Sequence, residues 1–205
     1  RQQVQAKNNR IASDLENAYM EVIPFPDIEK RFEILKPNSH LAVTCSPTKG
    51  VDETLQLCEK LVDRGFEVTP HIAAKCVEDS AHLESIVKKM EALNISSIFV
   101  PGGDRPEPLG KFNNSYQLLN SLRKLNHNIK SIGIAAHPEG HPDIDEKVLM
   151  ADLIRKQDLA TYVVTQMCFD ATILGDWLLK IKDLGVDLPV WAGLPGVIER
   201  GRLLR

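Results

Sequence analysis

Seven strand-like runs, at residues 19–23, 41–44, 66–69, 97–100, 131–135, 162–165 and 188–192, alternate with helical stretches along the chain. This rhythm constrains the fold more than any other feature. Most of the runs are continuously apolar, as expected for strands buried on both faces of a parallel sheet. The stretches between them repeat at helical spacing. Leu83, Ile86, Val87, Met90 and Leu93 mark one helix, behind a cap at Asp79 or Ser80. Leu55, Cys58, Leu61 and Val62 mark another, stopped at Gly65. A third runs from Asp170 through Ile173, Trp177 and Ile181 to Gly185, and an N-terminal helix is expected over residues 3–15.

Two folds accept repeated βα units: the doubly wound open sheet and the closed barrel. No GxGxxG follows the first strand and no GxxxxGK[ST] occurs, so neither nucleotide fingerprint favours the open sheet. The expectation is an α/β chain folded as one (β/α)8 TIM-type barrel domain over residues 1–205. A barrel needs eight strands and usually about 250 residues. The eighth βα unit is therefore expected to be missing from this chain, truncated at its C-terminus.

Composition narrows the function classes. A net charge of −3 and a pI near 6.1 give no electrostatic reason to expect nucleic acid or an anionic membrane as partner. No apolar run approaches the roughly 18–20 residues of a membrane span. Cys45, Cys58, Cys76 and Cys168 have no CxxC spacing. In a chain that is 43% hydrophobic, this reads as reduced thiols in a cytoplasmic protein. Cys58 and Cys168 read as small hydrophobes.

In a barrel of this kind the active site forms at the C-terminal ends of the strands. Those ends carry Glu21; Thr44-Cys45-Ser46; Pro70-His71; Gly102-Gly103-Asp104; the segment from His137 to Pro142; Thr165 to Asp170; and Gly193 to Gly196. Histidines, acids and glycine pairs thus gather at one rim. His137 and His141 flank Glu139 at metal-like spacing, but Pro138 and Pro142 deny them one helical face, and no metal is expected. Cys45 and Ser46 are conceivable nucleophiles without a visible elbow or base. Gly102-Gly103 suits close approach of a phosphate or planar ring, or simply a tight turn. His40, His82 and His127 read as surface histidines.

These segments, in this order, resemble the methylenetetrahydrofolate reductase family across nearly the whole chain. Pro138-Glu139-Gly140-His141-Pro142 and the TQxxFD segment Thr165–Asp170 are the more specific matches. The resemblance implies a (β/α)8 enzyme that takes hydride from NADH or NADPH onto FAD. That hydride then reduces 5,10-methylenetetrahydrofolate to 5-methyltetrahydrofolate, a step of one-carbon metabolism that serves methionine biosynthesis. Carried over by position, Glu21 is the catalytic acid that protonates the opening folate ring. Asp104 is catalytic and lies near both flavin and pterin, and Gln166 contacts the pterin. Thr44, His71, Gly103, Asp104, His137, Glu139, His141 and Lys156 fall at cofactor-binding positions. The sequence departs from the family at two of its flavin-facing positions: Gly102 stands where members commonly have Arg, and His137 where another aromatic is expected. These departures imply a flavin-free variant as the alternative, with NAD(P)H reducing the folate directly. A folate-dependent methyltransferase and a non-catalytic folate-binding barrel subunit are the rival functions. Folate and a nicotinamide dinucleotide are the expected partners, with homo-oligomerisation left open.

Overall fold

A computed structural model describes residues 10–25 and 28–196. Residues 10–16 are helical, and the rest of the expected N-terminal helix lies outside the described residues. The elements then follow as β1 (Met20–Val22), β2 (His40–Val43), α1 (Gly50–Asp63), β3 (Glu67–Pro70), α2 (Ser80–Ala92), β4 (Ser97–Val100), α3 (Ser115–Leu122), β5 (Ser131–Ala136), α4 (Glu146–Lys156), β6 (Tyr162–Met167), α5 (Ala171–Asp183) and β7 (Val190–Gly193). Short 3-10 turns at Ile28–Ile34, Ala74–Cys76 and Gln157–Leu159 complete the described path.

All the strand pairs are parallel, in the orders β1-β2-β3 and β4-β5-β6-β7. The two groups join where His71 bridges Phe99 and the Ile72 amide donates to the Phe99 carbonyl at 2.8 Å. The strands therefore stand side by side in chain order, with α1 to α5 following β2 to β6 in turn, which is the topology of a TIM barrel. Among the described residues β7 and β1 share no ladder. They meet through side chains, the Tyr19 and Trp191 rings lying edge to face at 5.5 Å. The barrel is partial.

Alternation along each strand sorts side chains between the helix-facing layer and the interior. Leu41, Val43, Val100, Ile134 and Val163 are at most 1% exposed and point outward. There they meet Leu55 and Leu61 of α1, Ile86 and Met90 of α2, Leu118 and Leu122 of α3, Leu153 of α4 and Trp177 of α5, in one continuous core. Burying a side chain such as Leu55 contributes about 1.5–3 kcal/mol. Many of the intervening positions are small or polar: Ala42, Thr69, Ser97, Ser131, Gly133 and Ala135. That is not the bulky branched filling usual in such barrels. Phe99 and Tyr162 are the large rings that enter this space from β4 and β6. A Cβ on Gly133 would come within 2.5 Å of Tyr162, whose hydroxyl donates to the Ile98 carbonyl at 3.4 Å.

The helix starts follow capping chemistry. Asp79 accepts from the His82 amide, Asn114 from Gln117, and Asp170 from Thr172 and Ile173. Three histidines differ from the surface reading. His40 pairs with Glu67 at 3.1 Å, and His82 Nε2 and His127 Nδ1 are buried without a hydrogen-bond partner. His40 begins β2, a position that aims inward. His82 lies on the flank of α2 against Asp52 rather than on its open face, at 3.8 Å.

Candidate active site

Register sets the depth of each strand-end group. Glu21 stands level with Ala42, Ala42 with Thr69, and Thr69 donates a 3.0 Å hydrogen bond to the Ser97 hydroxyl. Thr44, His71 and Phe99 lie two residues farther up their strands, about 6–7 Å nearer the mouth. Glu21 is thus a carboxyl set one layer below the rim. Partial desolvation raises its pKa, although the residue itself is exposed. A carboxyl shifted this way holds its proton closer to neutrality than an ordinary glutamate does.

At the rim over β2, β3 and β4 the loops are stitched together. The Ala74 and Lys75 amides donate to the Pro101 and Gly102 carbonyls, each at 3.0 Å. The Lys75 ammonium donates to the Arg105 carbonyl at 3.0 Å, and the Arg105 guanidinium reaches the Pro47 carbonyl at 2.6 Å. Gly103 has φ +94° and lies so close to the β3 turn that a Cβ would stand 3.1 Å from that of Ala73. Only glycine fits both demands, and the turn it makes holds exposed Asp104 at the mouth. His71 packs its ring on Phe99 at 4.7 Å, and burial pulls its pKa down to about 4. It is a neutral imidazole at physiological pH.

Over β5 and β6 the groups behave differently. The His137 and His141 rings meet edge to face at 5.2 Å. Burial lowers the His137 pKa, with His141 and Lys156 adding to the effect. His141 Nδ1 accepts from the Asp143 amide at 3.1 Å, which leaves the proton of the neutral ring on Nε2. Glu139 does not face the mouth as a free carboxylate. Its Oε1 accepts from the Cys168 thiol at 3.2 Å, the Phe169 amide at 3.0 Å and the Asp170 amide at 3.2 Å. These donors hold its pKa down, Cys168 first. Glu139 therefore ties the β5 loop to the turn after β6, close in sequence to exposed Gln166. Lys156 is 4% exposed and sits between α3 and α4, donating to Ser115 at 3.2 Å and paired with Asp152.

The structure thus brings Thr44, His71, Gly103, Asp104, His137, His141 and Gln166 to the C-terminal ends of adjacent strands, with Glu21 one layer deeper. It turns Glu139 and Lys156 toward protein partners. Two features were missed in the sequence: the Arg105 strap and the Glu139 latch. The Arg directly after Gly-Asp is a usable signal for the first. The second depends on loops meeting in space. A concavity of about 530 Å³ lined by Leu83, Phe112, Tyr116 and Asn120 lies on the outer face between α2 and α3, away from these groups.

The family model described as methylenetetrahydrofolate reductase matches residues 27–200. Methylenetetrahydrofolate reductase 2 of Saccharomyces cerevisiae is 26% identical over 100 residues, which are 47% of this chain and 17% of that protein. Methylenetetrahydrofolate reductase 1 of Schizosaccharomyces pombe is 24% identical over 144 residues, 65% of this chain and 24% of that protein. The chain therefore spans a quarter or less of the length of these curated relatives. Among solved structures, a protein described as a lyase or mutase from Burkholderia cenocepacia J2315 superposes with a TM-score of 0.58 at 14% identity, over 88% of this chain and 69% of that one. A monomeric dihydrodipicolinate synthase variant gives 0.51 at 18% identity, over 86% and 62%. At such identities these two structures speak for the fold alone.

Proposed function

This chain belongs to the methylenetetrahydrofolate reductase family, and on that premise we propose that it reduces 5,10-methylenetetrahydrofolate to 5-methyltetrahydrofolate with NADH or NADPH, through FAD. The observation that carries the reading is Glu21: a carboxyl one layer inside the mouth, its pKa raised by burial, below Thr44, His71 and Asp104. A non-catalytic folate-binding subunit has no need of such an acid.

The residues present suit a flavin ring. Neutral His71 on Phe99 offers a flat, weakly polar wall, and the space where a Gly102 Cβ would stand is open. Thr44, His71, Gly103, Asp104, His137 and His141 would hold the cofactor. A bound FAD supplies a two-electron carrier between nicotinamide and folate. Glu21 gives its proton to the folate nitrogen released as the five-membered ring opens. Asp104 and Gln166, two strands apart at the mouth, orient the pterin. Glu139 and Lys156 serve the site through the protein rather than by touching the cofactor.

One observation favours a second reading. With Lys156 and Glu139 engaged elsewhere and Gly102 in place of Arg, direct hydride transfer from NAD(P)H to folate is the rival path. The visible spectrum of purified full-length protein, recorded beside an assay of NAD(P)H oxidation with methylenetetrahydrofolate, tests both. Flavin bands at one per chain with folate-dependent turnover support the proposal. Colourless, active protein supports the rival. Absence of folate-dependent oxidation overturns both.

A further inference from the structure

The concavity between α2 and α3, about 530 Å³, shares no residue with the mouth of the barrel. That volume lies in the roughly 300–1,000 Å³ range of small-ligand sites. Its floor is apolar and fixed: Leu83 is 2% and Phe112 3% exposed, and Leu125 packs against the core. Its α3 side is basic. From Pro108 to Pro138 the sequence holds no acid, and the formal charges there are Lys111, Arg123, Lys124 and Lys130, in a chain whose net charge is −3.

The polar groups around this groove divide by what they already hold. The Lys111 ammonium donates to the Ser80 hydroxyl at 2.7 Å, beside the Asp79 that caps α2. The Arg123 guanidinium reaches the Asn120 side-chain oxygen at 3.4 Å, and Glu84 of α2 is taken up by Lys88 at 2.7 Å. Among the described residues nothing engages the Lys124 ammonium, the Tyr116 hydroxyl or the Ser121 hydroxyl, and all three residues line the concavity. The Tyr116 ring does not swing freely. The Arg155 guanidinium stands 4.4 Å from its centroid and is itself paired with Asp152.

We propose that the α2–α3 groove is a binding site for a small aromatic anion, separate from the mouth of the barrel. Its rings lie against Leu83, Phe112 and Tyr116, and its carboxylate sits on Lys124, with the Tyr116 and Ser121 hydroxyls free to donate to it. Charge selects the sign of the ligand. An anion meets a cation that no acid has neutralised, whereas an ammonium meets only like charge from α3. The lining selects a ring over an acyl chain, because aromatic side chains gain from offset and edge-on ring partners beyond the area they bury.

The test uses the full-length protein and the probe 4-benzoylbenzoate, an aromatic carboxylate that bonds to nearby C–H groups under near-ultraviolet light. Labelled peptides are mapped by mass spectrometry over a range of probe concentrations. Label saturates on peptides carrying Leu83 or the stretch from Lys111 to Leu125. Lys124→Glu, at an exposed position, weakens labelling there by about tenfold, because attraction becomes repulsion. Lys130→Glu makes the same charge change in the same acid-free stretch but outside the groove, and shifts it by less than about twofold. Unlabelled biphenyl-4-carboxylate protects the site at lower concentration than decanoate, and 4-phenylbenzylamine does not protect it. Label confined to the mouth, labelling that never saturates, equal effects of the two lysine variants, or equal protection by decanoate or the amine overturns the proposal. None of these readings uses folate or a nicotinamide cofactor, so the site stands or falls separately from the reductase reading.

Discussion

Replacing Gly103 with alanine tests how the β4 loop is held. The residue has φ +94°, and an added Cβ meets the Ala73 Cβ at 3.1 Å and the Lys75 Cβ at 3.6 Å. Strained backbone of this kind costs about 1–3 kcal/mol for a side-chain-bearing residue. Ala73 is 3% exposed and has no rotamer with which to give way, so the contact adds to that figure. Gly102, its neighbour, is the internal control: nothing lies within 4 Å of its Cβ position and its φ is ordinary. Urea denaturation of the two variants should give Gly103→Ala a loss of about 2–3 kcal/mol and Gly102→Ala a change within about 0.5 kcal/mol. For a chain of this size that loss lowers Tm by roughly 4–12 °C, at 2–4 °C per kcal/mol. Because Gly103 carries Asp104, folate turnover in Gly103→Ala should fall further than the folded fraction explains. Equal stabilities for the two variants would refute the argument from φ and contact together.

Other residues give independent checks. His71 binds its proton in the unfolded chain below about pH 6.5 but in the native protein only below about 4, so protons favour unfolding between those values. Stability should decline as pH falls through that window, by on the order of 1–2 kcal/mol after allowing for rim solvent, and His71→Asn should remove this component from urea midpoints measured between pH 7.5 and 4.5. Lys156→Met should cost about 1–2 kcal/mol, less than an orphaned buried charge would, because Asp152 is partly exposed and keeps the Arg155 guanidinium at 2.9 Å. Its flavin content, read at the visible flavin band, should match wild type. Leu55→Ala, at a site 1% exposed beneath β2, should cost about 2–5 kcal/mol by denaturation without altering the spectrum of the native protein.

Much of the fold was legible because it is written locally. A strand packed under a helix buries apolar side chains at alternate positions, and the helix packed on it must repeat at 3.6. The runs at Leu41, Ile98 and Val163 and the stripe from Leu83 to Leu93 therefore announced their elements one by one. Asp79 and Asp170 announced helix starts for the same reason. The candidate site was legible only as a roster. Position at a strand end placed His71, Asp104 and Gln166 at one rim, but not the depth of Glu21, which follows from its register with Ala42 and Thr69. Glu139 and Lys156 fall at cofactor-binding positions only by the family resemblance, which carries over position and not partners. Their hydrogen bonds to Cys168, Phe169, Asp170 and Ser115 join residues 29 to 41 positions apart, which no linear spacing encodes. His40 shows the same limit, since a histidine beginning a strand reads as surface until a glutamate is found beside it.

In the proposed mechanism Glu21 supplies the proton that opens the folate ring. Glu21→Gln keeps the shape and the hydrogen-bonding capacity but has no proton of that acidity to give. A positioned general acid contributes about 10²–10⁴-fold. Stopped-flow measurement of the two half-reactions in the full-length protein should show flavin reduction by NAD(P)H at the wild-type rate. Reoxidation by methylenetetrahydrofolate should slow by that factor, with folate affinity changed far less. Reoxidation of Glu21→Gln by folate at the wild-type rate would show that Glu21 is not the acid.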